Sequence, residues 1–259
     1  MKKQSGYRLD NTAKKVDPKI FGSHHFKFEI NQKSFAYCYI RKNACSAFKR
    51  LIVSTSPFKN QIPDFPGTMR FLSKFHGTSI PGINSADHSI LVVRDPIDRL
   101  VSAYLNKFVQ KAGHEDVASS YQRLCQQDPD QASFQDVVFR YLDNPMELVD
   151  SHFWAQSSYL APTAYTDCIQ ISSLETHMRK IMGKEVSEEY FKKPINSSRE
   201  FQELEIDDAS KLTAAKLREI YLVSSQLPAP NCLVTPRLRQ RISKIYAEDF
   251  RLADEVSSS

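Results

Sequence analysis

The chain has 259 residues, of which 41% are hydrophobic and 25% charged, which suits one large globular domain, or at most two small ones, with enough length to bury a real core. Thirty-five Lys+Arg against 30 Asp+Glu give a formal charge of +5, a bias towards anionic ligands that is too mild to name one and gives no support to nucleic acid. The 5 cysteines, Cys38, Cys45, Cys125, Cys168 and Cys232, form no CxxC pair and argue against a zinc knuckle or a disulfide framework; they fit a reducing compartment.

In chain order, MKKQSGYRLD leads into polar sequence rather than an apolar segment, and nowhere do 18 apolar residues follow one another. The expectation is therefore a cytoplasmic chain with no signal peptide and no membrane span. Residues 1–30, with Lys2, Lys3, Lys14, Lys15 and Lys19, read as a basic surface arm, residues 34–252 as the core and 253–259 as a tail, all within a single domain, 1–259. SFAYCYI (34–40) reads as a strand, and Phe48, Leu51 and Ile52 set the pattern of a following helix. SILVVRD (89–95) is a short apolar run, as expected of a strand covered on both faces. Asp95 can then cap, and Pro96 open, a helix with Ile97, Leu100, Val101, Tyr104, Leu105 and Phe108 on its apolar side. CIQISSL (168–174) reads as a third strand, and helices are predicted at 115–126, 133–142, 174–182, 209–224 and 236–251. Strands alternating with helices predict an α/β fold with a central parallel sheet flanked by helices.

Two strand-to-helix turns carry the chemistry. In YIRKNACSAFKRLI the turn aims backbone N–H groups and the positive end of a helix at one point, with Lys42 adding a charge and Ser46 a hydroxyl. A nucleoside triphosphate loop needs GxxxxGK[ST]; RKNACS is shorter and has no glycine. The plain alternative is a pair of solvated cations beside an N-cap serine. In the second turn, Arg94 ends a strand and Ser102 follows on the polar line Asp98, Ser102, Asn106, so that the two can share one phosphate. Its plain alternative is a network of Arg94 and Arg99 with Asp95 and Asp98.

Taken together, RKNACSAFKR and VVRDPIDRLVSAYLNKF resemble the cofactor-binding segments of the sulfotransferases that use 3′-phosphoadenosine 5′-phosphosulfate, most closely the carbohydrate branch with the chondroitin 4-O- and HNK-1-type enzymes. SHFWAQSSYL (151–160), ISSLET (171–176), INSS (195–198) and IYAEDF (245–250) extend the likeness over residues 34–252. The resemblance implies a parallel-sheet fold related to the P-loop kinases. It places the 5′-phosphosulfate on Arg41, Lys42, Asn43, Ala44, Cys45 and Ser46, and the 3′-phosphate on Arg94 and Ser102. It also implies transfer of a sulfonate to a hydroxyl of a glycan or glycolipid, releasing adenosine 3′,5′-bisphosphate with no metal required; peripheral membrane contact is compatible with a glycolipid acceptor.

The chain departs from that pattern at Arg41, where a proline is usual, and at Phe153–Trp154, where the tryptophan is displaced by one. The cysteines that animal Golgi members place after this segment are missing from Leu160, Ala161, Pro162 and Thr163, which points to a bacterial-type relative. A base is needed to take the acceptor proton, and of the 7 histidines His152 ranks first and His76 second. Gln156 is a candidate for binding a sugar hydroxyl. The alternatives are a P-loop-type kinase, disfavoured by the missing glycines, and a non-catalytic module that binds a nucleotide or an acidic glycan.

Overall fold

The computed structural model describes residues 24–192 and 202–258. Most of the expected basic arm and the INSS segment lie outside them. The elements run β1 (His25–Ile30), β2 (Lys33–Cys38), α1 (Cys45–Thr55), α2 (Thr68–Phe75), α3 (Ile80–Asn84), β3 (His88–Val93), α4 (Pro96–Tyr104), α5 (Glu115–Cys125) and α6 (Phe134–Asp136). There follow β4 (Asp167–Gln170), α7 (Leu174–Met182), α8 (Lys184–Tyr190), β5 (Gln202–Leu204), α9 (Ala214–Ser224), β6 (Gln226–Pro228), α10 (Pro230–Leu233), α11 (Pro236–Ile245) and α12 (Ala247–Ser258). They divide into two compact units, the first from 24–94, 156–192 and 252–258, the second from 95–155 and 202–251.

The first unit is built on a four-stranded sheet in the order β1-β2-β3-β4, with β2, β3 and β4 parallel and β1 antiparallel at the edge. The expected α/β fold with a parallel-rich sheet and flanking helices is therefore the observed one. The pleat of β2 shows why both faces are covered: Phe35 and Tyr37 point into a cluster with Phe48, Leu51, Phe71 and Met178, while Ala36 packs with Ile83 and Ala161. Burying a Leu or Phe side chain of this kind contributes about 1.5–3 kcal/mol.

The arm reading fails for residues 25–30. These form β1, and Phe26, Phe28 and Ile30 are buried while the charges of Lys27 and Glu29 alternate with them. β1 and β2 form a hairpin closed by Asn31 and Gln32, both left-handed at φ 50° and 64°, the geometry that matches the twist of the paired strands.

The second unit is mostly helical. Asp95 caps α4 as expected, its Oδ1 accepting from the N–H groups of Ile97 and Asp98 at 2.9 Å, and Pro96 opens the helix. The helix widens into a π-turn at Leu105–Val109, and α6 does the same at Val137–Tyr141 after a capping box between Ser133 and Asp136. The predicted helix at 209–224 is shorter: a 3₁₀ turn at Ala209–Lys211 comes first, and Thr213 caps α9. The predicted helix at 236–251 breaks at Tyr246 into α11 and α12. β5 and β6 form a small parallel pair that was not expected. Among the described residues no helix is long and apolar enough to cross a membrane.

Candidate active site

The turn after β2 solves its lack of glycine by placing other residues in the left-handed region. Lys42 has φ 71° and Ala44 φ 58°. Each such placement of a non-glycine residue costs of order 1 kcal/mol, and strain of this kind persists where surrounding contacts over-determine it. Those contacts are present. Asn43 is fully buried, and its Nδ2 donates to the Val92 carbonyl at 2.8 Å and to Gln156 Oε1 at 2.5 Å. The Tyr37 hydroxyl donates to the Asn43 carbonyl at 3.3 Å, and the Tyr37 ring stacks on Phe48 of α1 with centroids 3.8 Å apart.

Ala44, not Ser46, occupies the N-cap position of α1, so the N-cap serine of the plain reading is not what forms. No side chain caps this helix, which leaves the N–H groups of its first turn, at Cys45 and Ser46, as donors for a ligand. Lys42 and Ser46 are half-buried at this end. Arg41 is half-buried too, close enough to His24 that its charge adds to burial in holding that imidazole below its usual range.

Arg94 meets this turn. Its Nη1 donates to the Lys42 carbonyl at 3.3 Å, so the first unit brings together the two segments expected to bind the donor's phosphates. Ser102 belongs to the second unit and is only 4% exposed, because nearly every residue of α4 is buried; it does not lie on an open polar line. Gln156 departs from expectation as well. It is fully buried, its Oε1 accepts from the Arg94 N–H at 3.0 Å, and its Nε2 donates to the Arg94 carbonyl at 2.8 Å. An amide so enclosed is not placed to meet a sugar hydroxyl.

The two candidate bases sit in contrasting surroundings. His76, at the end of α2, has Nδ1 2.9 Å from the Lys27 carbonyl and Nε2 2.9 Å from Ser56 Oγ. A carbonyl only accepts, so Nδ1 carries the proton and Nε2 accepts from the Ser56 hydroxyl, whose oxygen in turn accepts from the Phe58 N–H. Burial pulls the His76 pKa down, opposed by the bond to the Lys27 carbonyl. Both nitrogens are committed to joining β1, α2 and the residue after α1, so His76 is a structural histidine and the structure gives it no proton-accepting role.

His152 lies in a 3₁₀ turn, Ser151–Phe153, of the second unit. Its Nδ1 is 2.7 Å from Asp150 Oδ1, the same oxygen that accepts from the His152 N–H at 2.8 Å. A carboxylate acceptor fixes the proton on Nδ1 and puts the lone pair of the neutral ring on Nε2. The turn is pinned on every side. Tyr246 Oη donates to the Phe153 carbonyl at 2.6 Å, Arg99 Nη1 to the Trp154 carbonyl at 2.6 Å, and Trp154 Nε1 to the Val149 carbonyl at 2.7 Å. The Asp150 N–H donates to Tyr141 Oη at 2.8 Å. Asp150 was not singled out from the sequence, although an aspartate two residues before a histidine is a local signal for this turn.

The first unit thus holds an uncapped helix start with Arg94 bonded to the Lys42 carbonyl of the preceding turn, and the second unit holds a carboxylate-oriented imidazole. Known proteins share parts of this chain. Carbohydrate sulfotransferase 11 of Rattus norvegicus is 43% identical over 84 residues, covering 29% of this chain and 24% of that protein. Carbohydrate sulfotransferase 14 of Mus musculus is 35% identical over 79 residues, covering 29% and 21%. Carbohydrate sulfotransferase 11 of Danio rerio is 38% identical over 84 residues, covering 28% and 23%. The matches thus span less than a quarter of these relatives. No solved structure matches the chain. The profile of the Sulfotransferase family, by contrast, matches residues 24–252, nearly all of the described chain, and the chain belongs to that family.

Proposed function

We propose that the chain transfers a sulfonate from 3′-phosphoadenosine 5′-phosphosulfate to a hydroxyl of a carbohydrate or glycolipid. The observation that carries this reading is the contact of the Arg94 guanidinium with the Lys42 carbonyl, which joins the two expected phosphate-binding segments at the uncapped start of α1. The donor set fits a phosphorylated nucleotide: helix N–H groups, an ammonium and a guanidinium are the groups that complement phosphate oxygens. The named relatives act on carbohydrates, which favours a sugar hydroxyl as acceptor.

When bound, the donor supplies a sulfonate whose S–O bond to the 5′-phosphate breaks as the acceptor oxygen bonds to sulfur, the acceptor proton passing to a base and the charge staying on the phosphate. Lys42 and the first-turn N–H groups of α1 are the residues that hold the 5′ end and offset that growing charge. Arg94 holds the 3′-phosphate. His152 takes the acceptor proton at Nε2 while Asp150 holds its Nδ1–H.

Thermal unfolding of the full chain with added nucleotide tests the reading. Adenosine 3′,5′-bisphosphate is expected to raise the midpoint well above the shift given by AMP or by ATP with magnesium. An equal shift with magnesium ATP supports a kinase instead. A bisphosphate preference with no transfer of labelled sulfonate to any of a panel of glycans supports a binding module.

A further inference from the structure

We infer that Gln156 is a positioning residue of the donor site, a side-chain strut that fixes the spacing of the two phosphate-binding segments and so helps the site select a nucleotide phosphorylated at both ends. This rests on the sulfotransferase reading above. The argument begins with the sheet. β2 pairs with β3 only as far as Ile90, and β4 pairs with β3 only as far as Val93. Past those points the backbone of β3 needs other partners, because a buried N–H or C=O left unpaired costs about as much as a lost hydrogen bond. Two side chains supply them. Asn43 Nδ2 takes the Val92 carbonyl at 2.8 Å, beyond the end of the β2 ladder. Gln156 takes both main-chain groups of Arg94, accepting from its N–H at 3.0 Å and donating to its carbonyl at 2.8 Å, as a neighbouring strand would.

These contacts close a ring. Asn43 Nδ2 donates to Gln156 Oε1 at 2.5 Å, Gln156 holds Arg94, and Arg94 Nη1 returns to the carbonyl of Lys42, the residue bonded to Asn43. Asn43 and Gln156 are both fully buried, so the ring works in a low-dielectric setting where such bonds are strong and an unmet partner is expensive. The ring fixes Arg94 relative to the Lys42 turn. A nucleotide with one phosphate uses only one side of it, whereas one with 5′ and 3′ phosphates uses both, so loosening the strut penalises the second far more.

Two variants of the full chain test this, with nucleotide binding measured by calorimetry and folding checked by far-UV circular dichroism. Gln156→Met keeps the volume and removes the amide. It is expected to weaken adenosine 3′,5′-bisphosphate about tenfold to a hundredfold, as for leaving buried polar partners unmet, while AMP changes far less. Gln156→Glu keeps the shape but sets a carboxylate against the Arg94 carbonyl. When protonated, that carboxyl donates to the carbonyl as the amide did, so the variant is expected to regain bisphosphate affinity as pH falls from about 8.5 to about 6, a recovery that the wild type does not show. A general structural defect would not reverse with pH in this way. If only one variant folds, its own signature decides. Wild-type preference in a folded variant, with no pH-dependent recovery, overturns the strut while leaving the functional reading intact. A wild-type protein that does not prefer the bisphosphate overturns the functional reading itself.

Discussion

His76 in the first unit and His152 in the second are both held at Nδ1, and the difference between their partners separates a structural histidine from a catalytic candidate. The Lys27 carbonyl and the Ser56 hydroxyl complete the hydrogen bonding of a neutral His76 ring, and burial disfavours its charged form. Asp150 instead presents a carboxylate to His152, which accepts from Nδ1–H and orients the ring.

The comparison breaks most visibly by exchanging the two residues for alanine. His152→Ala is expected to lower kcat by about two to four powers of ten while nucleotide binding stays near wild type, as for loss of a general base. His76→Ala is expected to do the reverse, keeping kcat within a few-fold and losing about 1–3 kcal/mol of stability through the unmet Ser56 and Lys27 groups. Steady-state kinetics and urea unfolding on both variants decide the matter. The opposite ranking would transfer the base role to His76 despite its closed hydrogen bonding.

A smaller effect sharpens the same contrast. Asp150→Asn leaves the turn a cap but removes the carboxylate that sets the His152 tautomer. Its expected loss is about tenfold to a hundredfold in kcat, in line with the removal of an orienting partner, with KM for the donor little changed. A wild-type kcat in that variant would mean that the turn alone, through Tyr246, Arg99 and Trp154, orients the ring.

What the sequence disclosed follows the range of the interactions. The β2 and β3 strands, the Asp95 cap, α5 and α7 rest on local signals and form close to where the pattern puts them. The β1 strand was legible too, in the alternation of FKFEI and in the Asn31–Gln32 turn, but the lysines before it drew residues 25–30 into a surface arm. The turn after β2 stands out in the sequence by its cations, whereas its left-handed backbone at Lys42 and Ala44 does not, since neither is a residue that favours it. The sequence does not disclose the buried role of Gln156 because its partners, Arg94 and Asn43, lie 62 and 113 residues away. Ser56 and Lys27, which close off His76, are likewise partners that only the folded chain supplies.

The smallest expected effect concerns acid stability, to which the buried histidines of the first unit contribute. Burial, with a further contribution from His24, pushes the His25 pKa down to about 4 from the ordinary 6.5. Its ring lies against Tyr165, with Nε2 2.7 Å from the hydroxyl. Between those two pH values the unfolded chain binds the proton and the folded chain does not. The contribution of a neutral His25 is therefore fully present above 6.5 and is lost as pH falls towards 4. At about pH 5.5 the expected loss from His25 is about 1 kcal/mol. The pKa values of His24 and His76 are lowered too, so they act in the same direction. His25→Gln removes the titrating group, and its urea midpoint is expected to fall less steeply than the wild-type midpoint as pH is lowered from 6.5 towards 4. An unchanged slope would show that His25 is not a source of the acid sensitivity, which would then rest on the other groups whose pKa is lowered, His24, His76 and Asp167 among them.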